Sequence, residues 1–356
     1  MKSPERPVRV MIVEDSLVVR QLLAHLIGRD PRFVVAAAVA SAEEALAEIG
    51  RVKPDVISMD IRLPGIDGLE ATRRIMSEHP TPIVVIADSV EDRSLSISMN
   101  ALRAGALSVV EKPVGVASAA YERIAETITT QLFIMSSVPV IRRRSFAAGP
   151  AAAEPPPPPR GDAAFRRPAF VALAASTGGP PALAKVLEGL PKTLEASVFV
   201  VQHMGEAFME GFATWLAGLS PLPVALAEDG ATAQPGRVYV APGGRHLSVE
   251  GGGRMRLVAS EPVSSQRPSA NVLFSSLARS AAPQTVGVLL TGMGEDGAQG
   301  LLELRRAGGY TIAEHQSSAV VYGMPAAAVR LKAAKEILPL DMIGPRLVHL
   351  AQRARP

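Results

Sequence analysis

Two sets of side chains in this sequence have the types and spacing to do chemistry. The first is acidic: Glu14 and Asp15 close the phrase VMIVED, and Asp60 stands in MDIRLPGIDG. Carboxylates brought together repel one another unless a divalent cation joins them, and hard oxygen ligands of this kind suit Mg²⁺. Lys112, in the phrase EKP, places an ammonium where it would neutralise a phosphoryl group carried by one of the acids. A carboxylate can act as nucleophile toward phosphorus, giving an acyl phosphate. Read singly, acids at loop starts are also common helix caps.

The second set centres on Ser176, which follows the apolar run VALAA and opens the turn STGGP. A hydroxyl there projects from a sheet edge, and the free N–H groups of the following helix's first turn would face a developing oxyanion. Serine alone is a poor nucleophile and needs a base. Of six histidines, His25 and His79 belong to the first half. His203, in VFVVQHM, stands at the end of a buried strand on the same edge as Ser176, with His246, His315 and His349 as second choices. A third group must orient the imidazole. The glycines of TGMGEDG permit a tight loop carrying Asp296 back over the edge, with Glu295 the adjacent alternative. Individually these residues read as a helix cap, a satisfied buried imidazole and a turn former. HExxH and P-loop signatures are lacking, and ASTGGP does not have the spacing of a dinucleotide loop.

The elements that must position these groups alternate along the chain. Short β-branched runs at Val8–Val13, Val34–Val39, Val56–Met59, Ile83–Ile86 and Leu107–Val110 are separated by helical patterns, which predicts a doubly wound parallel sheet. In such a sheet, polar side chains that do chemistry gather at the carboxyl ends of the strands. The alternation breaks at AAGPAAAEPPPPPRGDAAFRRP, whose five-proline run favours extended backbone and marks a semi-rigid linker. It resumes with strands at Phe170–Ala174, Val198–Val201, Val238–Val240, Val286–Leu290 and Tyr310–Ala313, while Val224–Val258, with its Pro-Gly and Gly-Gly-Gly turns, reads as an antiparallel excursion. The expected division is therefore a domain over 1–140, a linker over 141–168 and a second α/β domain, with a mostly parallel sheet, over 169–356. A chain of 356 residues with 47% hydrophobic but only 4% aromatic side chains fits two such Ala/Val/Leu-rich cores.

A net charge of +3 without a concentrated basic stretch does not indicate nucleic acid. The absence of cysteine excludes a Cys nucleophile and thiolate metal sites and fits a cytoplasmic location. No apolar run reaches membrane-spanning length.

The phrases VMIVEDS, MDIRLPGIDG and EKP together resemble a response-regulator receiver, a flavodoxin-like five-stranded domain. That resemblance implies Asp60 as phosphoacceptor, Glu14 and Asp15 with it as Mg²⁺ ligands, and Lys112 as a phosphate contact. One departure stands out: Ala87 occupies the place, at the end of the fourth strand, where receivers carry Ser or Thr, so a less sharp switch is expected. ASTGGP, VVQHM and LTGMGEDG, with VYVAPGGRH, RPSANVLF and VYGMP, resemble the catalytic domain of the CheB family of chemotaxis protein-glutamate methylesterases.

The CheB resemblance implies Ser176 as nucleophile, His203 as base and Asp296 as orienter, with the Met293 backbone N–H and Thr177 supporting the oxyanion. It implies hydrolysis of glutamate γ-methyl esters, and deamidation of glutamine, on chemoreceptor helices under control of a CheA-type histidine kinase. Gln266 and Asn271 stand where relatives often carry His and Asp, and no catalytic role is assigned to them. The competing readings are a non-enzymatic, phosphorylation-dependent adaptor and a serine hydrolase of another ester or amide.

Overall fold

The structure, a computed structural model, describes residues 6–87, 101–102, 104–113, 121–138 and 167–352. The chain divides into two compact units, Met1–Pro150 and Ala151–Pro356. Of the expected linker, residues 141–166 lie outside the described residues, as do Asp88 and Ser89.

In the first unit, β1 (Val8–Val13), β2 (Phe33–Val39), β3 (Val56–Asp60), β4 (Ile83–Ala87) and β5 (Ser108–Glu111) form one sheet in the order β2-β1-β3-β4-β5. Every pair is parallel. Helices α1 (Leu17–Gly28), α2 (Ala42–Val52), α3 (Gly68–Glu78) and α4 (Tyr121–Met135) accompany it. β3 and β4 are buried along their full length, and the continuous apolar run of β4 follows from that. Helix starts follow capping chemistry: the Ser16, Ser41 and Asp67 side chains accept from the N–H of Val19, Glu44 and Glu70. The strand order reverses between β1 and β3, and a crevice opens at their carboxyl ends. Glu14 and Asp15 follow β1, and Asp60 closes β3.

The second unit holds a seven-stranded sheet. Its strands are β6 (Phe170–Ala175), β7 (Ser197–Gln202), β8 (Val224–Leu226), β9 (Val238–Val240), β12 (Thr285–Leu289), β13 (Tyr310–Glu314) and β14 (Glu336–Leu338), in the order β14-β13-β12-β6-β7-β9-β8. All of these pairings are parallel. Separately, β10 (His246–Glu250) and β11 (Arg254–Val258) make an antiparallel hairpin. The antiparallel reading of Val224–Val258 is thus corrected for its first half. There β8 and β9 join the parallel sheet through an irregular crossover in place of a helix, which hides the βαβ pattern.

The helices of this unit are α5 (Gly179–Glu188), α6 (Met209–Ala217), α7 (Ala270–Ser280), α8 (Ala298–Arg306), α9 (Met324–Arg330) and α10 (Leu340–Ala351). One core joins Phe199, Tyr239 and Leu289 of the sheet to Phe274 and Leu277 of α7, Leu301 and Leu304 of α8, and Leu247, Val249 and Met255 of the hairpin. On one side of β6 the sheet continues with β7, β9 and β8, and the chain then returns to β12 on the other side. The point of reversal therefore lies between the carboxyl ends of β6 and β12, which carry Ser176 and the Thr291–Met293 loop. Among the described residues no helix is long and apolar enough to cross a membrane.

Candidate active site

In the first unit, Glu14 and Asp60 are buried and Asp15 is exposed, and each offers a carboxylate oxygen within 4.8 Å of the others. Lys112 Nζ lies 2.9 Å from Asp60 Oδ2 and 3.1 Å from Glu14 Oε2. Burial, and then the charge of Asp60, push Glu14 up to about 7 against the pull of Lys112. Burial also raises Asp60, with Lys112 opposing. For Lys112 burial acts to lower the ammonium's pKa, but the two carboxylates outweigh it and hold the proton more firmly. Three crowded oxygen donors with one exposed member fit a divalent cation, whose charge would relieve this repulsion. Ala87 ends β4 beside the pocket, its carbonyl accepting the Lys112 N–H at 3.0 Å, and it brings only a methyl group.

In the second unit, Ser176 and His203 follow directly on neighbouring strands: β6 and β7 pair with Ala175 opposite Gln202, and the His203 N–H donates to the Ala175 carbonyl at 3.1 Å. His203 Nε2 lies 2.9 Å from Asp296 Oδ2, and both side chains are buried. The other ring nitrogen, Nδ1, is buried without a hydrogen-bond partner among the described residues. With Nε2 given to the carboxylate, Nδ1 is the atom left to exchange a proton. Ser176 Oγ makes no hydrogen bond to it here. Such contacts are commonly long in the absence of substrate and tighten on binding.

Asp296 is held from several directions. Its carboxylate accepts from Ser269 Oγ at 2.7 Å, from the Ala270 N–H at 2.6 Å and from the Asn271 N–H at 3.3 Å, which places it at the positive end of α7. Burial acts to raise its pKa, but the hydrogen bonds from His203, Ser269 and Ala270 win, and the net shift is downward. Asp296 stays an anion, able to fix the imidazole and stabilise its protonated form. The adjacent Glu295 instead pairs with Arg330 at 2.6 Å, both exposed.

The remaining histidines have other work. His246 is fully buried, with Nδ1 accepting the Ser269 N–H at 3.1 Å and Nε2 lying 3.0 Å from the Glu261 carbonyl, so it braces the residue that braces Asp296. His315 bonds Ser317, and His349 is exposed on α10. Asn271 contributes its N–H to Asp296 and its Oδ1 to the Gly300 N–H. Gln266 pairs by its backbone with Val263.

The oxyanion loop expected at Met293 lies against the serine. A Cβ on Gly292 would come within 2.7 Å of Ser176 Cβ, and among the described residues no backbone hydrogen bond uses the Met293 N–H. Thr177 is buried, and its carbonyl accepts from Thr291 Oγ1 at 2.9 Å.

Gln202 was not singled out from the sequence. Its buried amide donates to the Ser176 carbonyl at 2.8 Å and to the His203 carbonyl at 2.9 Å, clamping the two residues' backbones together. The two carbonyls also fix which end of the amide is nitrogen. The signal was a large polar residue closing the buried strand SVFVVQ directly before His203. For Ser269 and Thr291, ordinary hydroxyl residues in loop phrases, no comparable signal exists.

Both units of the chain are similar to known proteins. The family model described as CheB methylesterase matches residues 171–347, and the model described as response regulator receiver domain matches residues 10–120. The chain is 49% identical to protein-glutamate methylesterase/protein-glutamine glutaminase 2 of Paramagnetospirillum magneticum, over 97% of this chain and 98% of that protein. It is 44% identical to protein-glutamate methylesterase/protein-glutamine glutaminase 4 of Myxococcus xanthus, over 96% of each. The crystal structure of the Thermotoga maritima CheB methylesterase catalytic domain superposes with a TM-score of 0.50 at 36% identity, covering 51% of this chain and 98% of that one. Similarity of this degree along nearly the whole length, with a receiver match at 10–120 and a methylesterase match at 171–347, shows that the chain belongs to the CheB family of protein-glutamate methylesterases/protein-glutamine glutaminases.

Proposed function

We propose that this protein hydrolyses glutamate γ-methyl esters, and deamidates glutamines, on the cytoplasmic helices of chemoreceptors, with Ser176 as nucleophile, His203 as base and acid, and Asp296 as orienter. The observation that carries this reading is the His203 Nε2–Asp296 contact at 2.9 Å, on the residue that follows the strand beside the one leading to Ser176, with Nδ1 buried and without a hydrogen-bond partner among the described residues. Asp296 holds the proton on Nε2, so Nδ1 presents its lone pair and accepts the Ser176 proton as Oγ attacks the ester carbonyl carbon. The Met293 N–H, with Thr177 beside it, stabilises the oxyanion of the tetrahedral intermediate. Collapse expels the alkoxide, which takes the proton from His203 and leaves as methanol; an amide substrate loses ammonia in the same way. Water, deprotonated by His203, then attacks the acyl-enzyme and releases Ser176 and a glutamate carboxylate.

The phosphorylation branch rests on the first unit. Asp60 is the phosphoacceptor, with a CheA-type histidine kinase as donor; Glu14, Asp15 and Asp60 would hold Mg²⁺, which neutralises charge between carboxylate and phosphoryl oxygens. Lys112, now paired with Asp60, turns to the transferred phosphoryl group. The protein works in the cytoplasm and reaches the membrane through receptors.

The test is methanol release from methylated receptor membranes by the full chain, with and without a small-molecule phosphodonor. Wild type should release methanol and respond to the donor. Ser176→Ala should release none, and Asp60→Ala should keep a basal rate without the response. Release by Ser176→Ala at the wild-type rate would overturn the triad.

A further inference from the structure

Thr291 ends the passage from β12 into the Gly292–Met293 loop and is fully buried. Its polar groups reach three places: the Ser176–Thr177 turn, Glu314 at the end of β13, and Val321. Its carbonyl accepts the Ser176 N–H at 3.0 Å, and its own N–H donates to Glu314 Oε2 at 2.8 Å. Its hydroxyl donates to the Thr177 carbonyl at 2.9 Å and accepts the Val321 N–H at 2.9 Å. Val321 in turn accepts the Gly292 N–H at 3.0 Å, and the Gly292 carbonyl accepts from Gly323 and Met324. Glu314, itself fully buried, is steadied by Ser318 Oγ at 2.9 Å. One side chain therefore ties the nucleophile turn, the loop bearing the Met293 N–H and the segment after β13 into a single hydrogen-bonded unit.

We infer that Thr291 is a positioning residue for this reaction: its hydroxyl sets the separation between Ser176 Oγ and the Met293 N–H. The inference rests on the methylesterase reading above. An oxyanion donor acts only when held where charge develops, and displacement by about 1 Å costs on the order of 10²-fold in rate. Thr291→Val keeps the branched shape and both backbone bonds but removes the hydroxyl, leaving the Thr177 carbonyl and the Val321 N–H without their partner. Thr291→Ser keeps the hydroxyl.

The experiment measures kcat and KM for methanol release from methylated receptor membranes by full-length wild type, Thr291→Val and Thr291→Ser. A second readout is the rate at which an activated alkyl phosphonate ester labels Ser176, since that reaction passes through the same oxyanion geometry. Thr291→Val should lose about 10²-fold in kcat and a similar factor in labelling, with KM little changed, while Thr291→Ser stays within about fivefold of wild type. Should Thr291→Val not accumulate as folded protein, Thr291→Ala carries the same comparison against Thr291→Ser. Wild-type kcat in the hydroxyl-free variant, or equal losses in both variants, overturns the inference. Absence of methanol release by wild type would sink the methylesterase reading instead.

Discussion

Asp296 is buried and yet held as an anion by His203, Ser269 and the α7 N–H groups. Its folded pKa lies below the ordinary value of 3.8. A depressed carboxyl pKa contributes stability that is present above the unfolded value and is lost as pH falls through the folded one. Asp296→Asn removes that contribution. The melting temperature of wild type should therefore exceed that of the variant near neutrality, with the gap narrowing below about pH 4. The same change presents an amide to Nε2, favours the wrong tautomer, and should lower methanol release by roughly 10³–10⁴-fold. Both effects are read from one purified variant, by thermal melts across pH and by a rate assay.

At the scale of elements, the turn from β6 into α5 is built around two glycines. Gly178 has φ +74°, the left-handed region, and a Cβ there would meet Val320 at 2.5 Å. At Gly179 a Cβ would lie 2.1 Å from Gln202 Oε1 and 2.7 Å from Ala175 Cβ. The clamp that joins Ser176 to His203 thus requires a bare backbone at α5's first residue. Gly179→Ala should cost about 1–3 kcal/mol from overpacking, seen as a lower urea midpoint, and should reduce kcat by displacing Gln202. An unchanged midpoint together with unchanged kcat would show that Gln202 moves freely. Most strands and this turn were legible beforehand because burial on both faces and Gly-Gly punctuation are local signals; the three-residue edge strand β14, half-exposed, was not. The parallel placement of β8 and β9 was not, since their crossover lacks the helix that makes a βαβ unit readable.

For the whole molecule, two compact units imply two unfolding transitions in a thermal scan. A cation held by Glu14, Asp15 and Asp60 stabilises only the unit that contains them. At a hundredfold excess over Kd, Mg²⁺ should add about 2.7 kcal/mol to that transition and leave the other unmoved; Asp60→Ala should remove most of the shift. Calorimetry showing both transitions moving together would contradict the assignment. A phosphorylation switch needs a contact that differs between its two states. Ala87 offers no hydroxyl for a phosphoryl group on Asp60. Ala87→Ser should therefore steepen the dependence of methanol release on phosphodonor while leaving the basal rate within about twofold.

By itself the sequence determined the two α/β units, the strand ends that carry Asp60, Lys112, Ser176 and His203, and the family, because strand burial, turn residues and short motifs are written locally in the chain. Tertiary structure decided the rest. It chose Asp296 over Glu295 as the partner of His203, set Nε2 against that carboxylate, and packed His246 against the Ser269 N–H. It also gave Gln202 its two carbonyl partners and brought in Ser269 and Thr291, whose types are ordinary in any loop. The physical reason is common to all of these: each depends on a buried polar group finding its partner across distant segments, and that pairing is set by packing at the β6–β12 crevice, which chain spacing does not encode.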